Sequence, residues 1–223
     1  MSEQVLRDYL QYIRQLGITY VPLPESRTNG PATHELLARE AGACNRCPLH
    51  KTRTQAVFGK GNVAARLMFI GEAPGREEDV RGIPFCGAAG KLLDRIIAAM
   101  GLTREQIYIS NVVKCRPPGN RNPSPQEMSA CRRFIDQEIA LVKPEVICLL
   151  GRVAFHGLLG TTASIMKHRG TWMEYGDIAV MPTYHPAFLL RQTERTYKKH
   201  VWQDMKQIMA KLGLPVPDRA KTT

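Results

Sequence analysis

The chain has 223 residues, enough for one domain with a sizeable core. No apolar run reaches the length of a bilayer-spanning helix, although 43% of residues are hydrophobic, and this sets aside a helical membrane protein. Against 20 acidic residues stand 31 basic ones, and the formal charge of +11 points to a polyanionic partner, nucleic acid ahead of an anionic membrane. The opening MSEQVLRDYL lacks the apolar stretch of a signal peptide, so the expected compartment is the cytoplasm. Thiols stay reduced there, and the six cysteines are read as ligands or core residues rather than disulfides.

Residues 1–43 read as an N-terminal extension, more as a packed arm than as a partner-binding helix. Within it, Val5, Leu6, Leu10, Ile13 and Leu16 have helical spacing, 22–31 is a Pro-containing linker, and 33–41 predicts a short helix leading to Cys44. The main domain is expected over 44–213, with 214–223 as a tail. Residues 66–71 predict a strand that ends in a Gly/Pro loop. Residues 88–100 predict a helix with Leu92, Leu93, Ile96 and Ile97 on one face and Gly101 as its stop. A second strand is expected over 107–113. Ser124-Pro125-Gln126-Glu127 is a capping signature that starts a helix running to about Val142. Strands over 146–151 and 178–182, a helix from Arg152 and a closing helix over 197–212 complete the pattern. Continuous apolar strands alternating with helices predict an α/β fold, a small parallel sheet covered on both sides. Ligands bind such sheets beyond the strand carboxyl ends, so loops 71–90, 111–123 and 183–193 are expected to share one pocket.

Cys44 and Cys47 form a C-x2-C chelating pair, and Cys115 and Cys131 a C-x15-C pair. Four such cysteines suit tetrahedral zinc or an iron–sulfur cluster, and spacing alone does not choose. Cys148 reads as a core residue, and Cys86 lies in the site loop without a partner ligand. The loop from Gly71 to Asp79 has neither the ending of a P-loop nor the spacing of a dinucleotide fingerprint. Phe85, on a Pro/Gly-flanked turn, must bury or stack on a flat ligand. Asn111 at a strand end offers donor and acceptor to a base edge, or caps a turn. His185 stands between a strand and a Pro-stiffened loop, where it can stabilise developing negative charge. The other five histidines read as surface or capping residues. Leu189 and Leu190 beside Arg191 have the composition of a wedge for a base stack, or of an ordinary helix start.

Four stretches together carry a resemblance: G-E-A-P-G-x-x-E-D from Gly71, G-x-P-F-x-G-x-A-G from Gly82, N-V-V-K-C-R-P-P-x-N-R-x-P from Asn111 and Y-H-P-A-F-L-L-R from Tyr184. In this order they resemble family 4 uracil-DNA glycosylases, the iron–sulfur branch of the uracil-DNA glycosylase superfamily. The likeness runs from about Cys44 to about Leu212. It implies an α/β/α sandwich, a [4Fe–4S] cluster on Cys44, Cys47, Cys115 and Cys131, and uracil-containing DNA as substrate, with the base flipped out.

By the same resemblance Phe85 stacks on uracil, Asn111 reads its polar edge and His185 bonds O2 as the base leaves. Glu72 and Ala73 flank the sugar, and Glu78 stands near C5 to exclude a thymine methyl. Leu189 fills the gap in the duplex. From their own positions, Arg116 and Arg121 between Cys115 and Cys131, and Arg191 beside the apolar tip, are expected to meet DNA. Ala73 stands where other branches carry a water-positioning Asp, so Glu72, backbone carbonyls or Asn111 are left to orient the water. Residues 116–123 contain no histidine, unlike a related branch that traps DNA covalently, so turnover is expected. The expected protein is a monomeric, monofunctional glycosylase of base excision repair, with residues 1–43 available to a replication or repair partner. The competing reading is a non-catalytic iron–sulfur protein that binds DNA or senses redox state.

Overall fold

Every position of the apolar runs Leu67–Gly71 and Val146–Leu150 is buried, as strands covered on both faces require. The computed structural model describes residues 33–216 and sets these runs at the centre of a six-stranded sheet. The strands are β1 (Lys60–Gly61), β2 (Leu67–Gly71), β3 (Tyr108–Asn111), β4 (Val146–Leu150), β5 (Met173–Tyr175) and β6 (Ile178–Thr183). The helices are α1 (His34–Ala43), α2 (Arg76–Arg81), α3 (Ala88–Ala99), α4 (Pro125–Val142), α5 (Gly151–Leu159), α6 (Ile165–His168), α7 (Pro186–Leu190) and α8 (Arg195–Lys211).

The sheet order is β1-β3-β2-β4-β6-β5. The four inner strands are parallel, as expected, while β1 and β5 pair antiparallel at the two edges. The small central parallel sheet is thus present, and an antiparallel strand extends it at each margin. Strands β3 and β4 lie on either side of β2, so the chain reverses its direction of travel across the sheet there. This is the switch point at which such sheets open a crevice beyond their carboxyl ends.

Side-chain alternation along each strand divides the core between the two faces. Met68, Ile70, Tyr108, Ile147 and Leu149 face one cluster with residues of α1, α4 and α5. Leu67, Phe69, Ile109, Val146 and Cys148 face the other, with residues of α3 and α8. Cys148 is thus a core residue, as expected. The boundary expected at 43 moves upstream: Leu37 and Ala41 of α1 are in the core, and one compact unit begins at Thr33. Thr33 caps α1 through its hydroxyl, which accepts from Leu36 N at 3.2 Å. The helix expected over 5–16 and the linker at 22–31 lie outside the described residues.

The capping signature before α4 forms in full. Ser124 Oγ accepts from Glu127 N at 3.2 Å, and the Glu127 carboxylate accepts from Ser124 N at 2.7 Å. Farther along α4, buried Glu138 pairs with buried Lys114 and accepts from Ser110 Oγ, Tyr108 Oη and Gly59 N. The Lys114 ammonium also donates to Ser110 Oγ and to the Asn111 carbonyl, both at 2.7 Å. A buried pair of this kind holds only when its remaining donors and acceptors are met, and here they are.

Candidate active site

The loops leaving β2, β3 and β6 converge on a cavity of about 420 Å³. Glu72, Ala73, Glu78, Phe85, Asn111 and His185, gathered from three separate stretches of sequence, all line it.

Phe85 has a φ of 52°, a left-handed backbone unusual for an aromatic residue. Arg104 holds it there. Its guanidinium donates to the Pro84 carbonyl at 3.1 Å and to the Phe85 carbonyl, and pairs with Asp94. Two glycines make the room. A Cβ at Gly90 would stand 1.8 Å from the Phe85 carbonyl oxygen, and one at Gly71 would stand 2.4 Å from Phe85 Cζ. The ring lines the cavity, its centroid 5.6 Å from that of His185 and inclined to it by 32°.

Asn111 ends β3 beside Gly71 of β2. Its side chain is buried, and its Oδ1 has no hydrogen-bond partner among the described residues. A buried acceptor without a donor costs about 1–3 kcal/mol, so an amide held this way toward a cavity fits a ligand donor.

His185 is the N-cap of α7, and its Nδ1 accepts from Ala187 N at 3.1 Å. That bond leaves the proton of the neutral ring on Nε2. Burial, reinforced by the nearby Arg191 charge and only partly opposed by Glu78, pushes the imidazole down to about 4. At neutral pH it is therefore a neutral donor. Gly151 lets the chain close over it: a Cβ there would stand 2.8 Å from His185 Cβ.

Glu78 ties two loops together. Its carboxylate accepts from Gly75 N at 3.1 Å, Cys86 N at 3.0 Å and Gly87 N at 2.8 Å. The acidic run in a basic protein is thus the first turn of α2, where the helix dipole favours negative charge. Glu72 follows β2, and burial raises its carboxyl while Arg152 acts to lower it.

Leu189, the expected wedge, is only 3% exposed and belongs to the core, whereas Leu190 is 48% exposed and is the apolar tip of α7. Arg191 is exposed at the cavity rim. Arg116 donates to Asn120 Oδ1 at 2.8 Å, and Arg121 forms a two-bond pair with Glu127.

Cys44, Cys47, Cys115 and Cys131 are free thiols and line a second, small cavity together with Ala41, Ala130 and Phe134. Arg53 donates to Cys115 Sγ at 3.0 Å, and Lys114 N donates to Cys131 Sγ at 3.3 Å. Among the described residues no three His, Cys, Asp or Glu groups lie close enough to hold one metal ion. Cys86 stands apart from these four, in the loop held by Glu78.

Sequence reasoning missed Asn120, Asn122 and Phe188, which also line the cavity. The short turn Pro118–Asn120 was legible as Pro/Gly-rich, but not which asparagine it turns inward. Asn120 takes a left-handed φ of 56°, a conformation asparagine tolerates.

A family model for the uracil DNA glycosylase superfamily matches residues 58–206. The chain is 42% identical to a type-4 uracil-DNA glycosylase of Thermotoga maritima over 175 residues, covering 78% of this chain and 91% of that protein. It is 40% identical to the type-4 enzyme of Archaeoglobus fulgidus, covering 79% and 90% of the two chains. With that of Saccharolobus solfataricus the identity is 47%, over 70% and 76%. The motifs, the parallel sheet with its crevice and these similarities agree: the chain belongs to the uracil DNA glycosylase superfamily.

Proposed function

We propose that this protein is a monofunctional uracil-DNA glycosylase that releases uracil from DNA, leaves an abasic site and so starts base excision repair. The observation that carries the reading is the buried, unpartnered Asn111 Oδ1 in a cavity shared with the Phe85 ring and a neutral His185. A flipped uracil stacks on Phe85. Its N3–H donates to Asn111 Oδ1, and the Asn111 amide donates to O4. When the C1′–N1 bond breaks, its electron pair passes to the base. His185 Nε2–H then bonds the O2 that carries the new negative charge, with no proton transfer required. A neutral donor suits this task, because it stabilises the anion without protonating it.

Water supplies the oxygen that joins C1′, and Glu72 accepts its proton. Ala73 leaves space for that water, and Glu78, held by three backbone amides, forms the wall at C5 that a thymine methyl would strike. Lysine is absent from the cavity lining among the described residues, which supports hydrolysis over a Schiff-base lyase. Leu190 enters the gap in the duplex, and Arg191 and Arg116 meet phosphates. Arg121, half-exposed and with N–H groups beyond those on Glu127 and Asn122, joins them while keeping Glu127.

Cys44, Cys47, Cys115 and Cys131 are assigned to a [4Fe–4S] cluster. The four line one small cavity, and N–H donors on two of the sulfurs support the reading of these thiols as ligands. Held there, the cluster would supply no step of the reaction and would clamp the segment after α1 to the loop after β3 and to α4. No helix among the described residues is long and apolar enough to cross a membrane, in keeping with a DNA enzyme of the cytoplasm.

The test is a uracil-containing oligonucleotide incubated with the enzyme, with and without later alkali. Alkali-dependent cleavage is expected. Cleavage without alkali overturns the monofunctional reading, and no abasic sites overturns the glycosylase. Asn111→Ala and His185→Ala should lose activity while DNA affinity persists.

A further inference from the structure

Glu72 comes from the end of β2, Asn122 from the loop before α4 and Arg152 from the first turn of α5. The Asn122 amide lies between the other two. An amide between a carboxylate and a guanidinium has one orientation free of repulsion, with nitrogen toward the carboxylate and oxygen toward the cation. So turned, Asn122 Nδ2 donates to Glu72 Oε1 at 3.2 Å, and Asn122 Oδ1 accepts from Arg152 Nη2 at 3.1 Å. The Asn122 backbone is fixed as well: its carbonyl accepts from Arg121 Nη1 at 3.0 Å, and Arg121 is anchored on Glu127. Asn122 also lines the reaction cavity.

We propose that Asn122, backed by Arg152, is a positioning residue for Glu72, fixing one carboxylate oxygen so that the other is free for the water that attacks the sugar. The proposal rests on the glycosylase reading above. A carboxylate with free torsions would sample many directions, and the amide removes that freedom from one side. Because Asn122 is neutral, it passes on the orientation set by Arg152 without adding a charge that competes for Glu72.

Electrostatics point the same way. The charged and titratable groups around Glu72 are Arg152 on α5, Arg121 on the loop of Asn122, Glu78 on α2, and His185 and Arg191 across the cavity. Of these, Arg152 opposes the burial that favours the protonated acid, and a protonated Glu72 cannot accept a proton from water.

Single-turnover rates and DNA affinity across pH on uracil-containing DNA test this, with Asn122→Ala, Arg152→Gln, Arg152→Lys, Glu72→Gln and the Asn122→Ala/Glu72→Gln double variant. Asn122 and Arg152 are exposed, so their variants are expected to fold. Asn122→Ala should slow the chemical step roughly ten- to a hundredfold at unchanged DNA affinity. Its acid limb should move to higher pH, as should that of Arg152→Gln, while Arg152→Lys largely restores it. Glu72→Gln should absorb the effect, so that adding Asn122→Ala costs little more. Loss in the double variant equal to the sum of the single losses overturns the proposal. So does an unmoved acid limb, or a fall in affinity matching the fall in rate, which would make Asn122 a DNA contact. A wild-type chain without activity sinks the glycosylase reading instead, a result distinct from an active wild type indifferent to Asn122.

Discussion

Gly71 stands opposite Asn111 in the β2–β3 pairing, and a Cβ on Gly71 would fall 2.5 Å from Asn111 Oδ1. The same Cβ would meet Phe85 Cζ at 2.4 Å, so one methyl group strikes both groups proposed to hold the base. Gly71→Ala should therefore move the Phe85 ring and the reading edge of the cavity together. Overpacking of this kind costs about 1–3 kcal/mol. If it falls on base binding, kcat/KM drops about ten- to a hundredfold. Kinetics beside a melting curve check this, and a fully active Gly71→Ala would contradict the geometry.

His185 links activity and stability to pH. The unfolded chain binds a proton at about 6.5 that the folded chain refuses until about 4. Between these values the unfolded state holds more protons, so stability rises with pH through the window and is level above it. Denaturant midpoints from pH 4 to 8 should show this slope, and His185→Gln should lose its share of it. The same variant should slow the chemical step about 100- to 1000-fold, the loss typical of one donor to a developing anion.

Lys114 and Glu138 are buried with every partner satisfied, so removing one leaves a lone charge in the core. Lys114→Met and Glu138→Leu should each destabilise the fold by about 3–5 kcal/mol. The double variant should recover much of that loss. Denaturant unfolding of the three variants measures it, and additive losses would show that the two charges do not depend on each other.

Leu189 and Leu190 should part company. Leu189→Ala should cost about 2–5 kcal/mol of stability, as buried leucines do. Leu190→Ala should leave the melting temperature nearly unchanged and slow uracil release from duplex DNA more than from single strands, where no stack has to be filled. Equal rates on both substrates would remove Leu190 as the wedge.

Cys115 tests the clamp. Cys115→Ala should lower bound iron, stability and DNA affinity together, because this thiol joins the loop after β3 to the segment after α1. Iron assay, melting curves and DNA titration check the three readouts. Intact structure and DNA affinity with abolished catalysis would give the cluster a chemical role instead.

The buried strands and the α4 capping box were legible because each is written in consecutive residues, and the pocket residues because their loops all follow strand ends and carry the family's motifs. The edge strands were not, since Lys60–Gly61 and Met173–Tyr175 are too short to show a period. Neither was the choice between Leu189 and Leu190. Both follow Pro186 in a five-residue helix, and only its docking against α3 decides which leucine turns inward. The extension was legible as a packed arm or a partner-binding helix, and Leu37 and Ala41 of α1 pack as an arm would. Asn122 was least visible of all: it joins residues 50 positions before it and 30 after it, and no local pattern spans such gaps.

The left-handed backbone at Phe85 sets a limit on how this chain can drift. That conformation costs an L-residue about 1–2 kcal/mol, and glycine would relieve it. Yet glycine has no ring, so the exchange that eases the backbone also strips the ring from the cavity lining. Selection for heat tolerance would favour the change, and selection for repair would remove it. The position is therefore held by opposing pressures, and stability gained over evolutionary time must come from elsewhere in the fold.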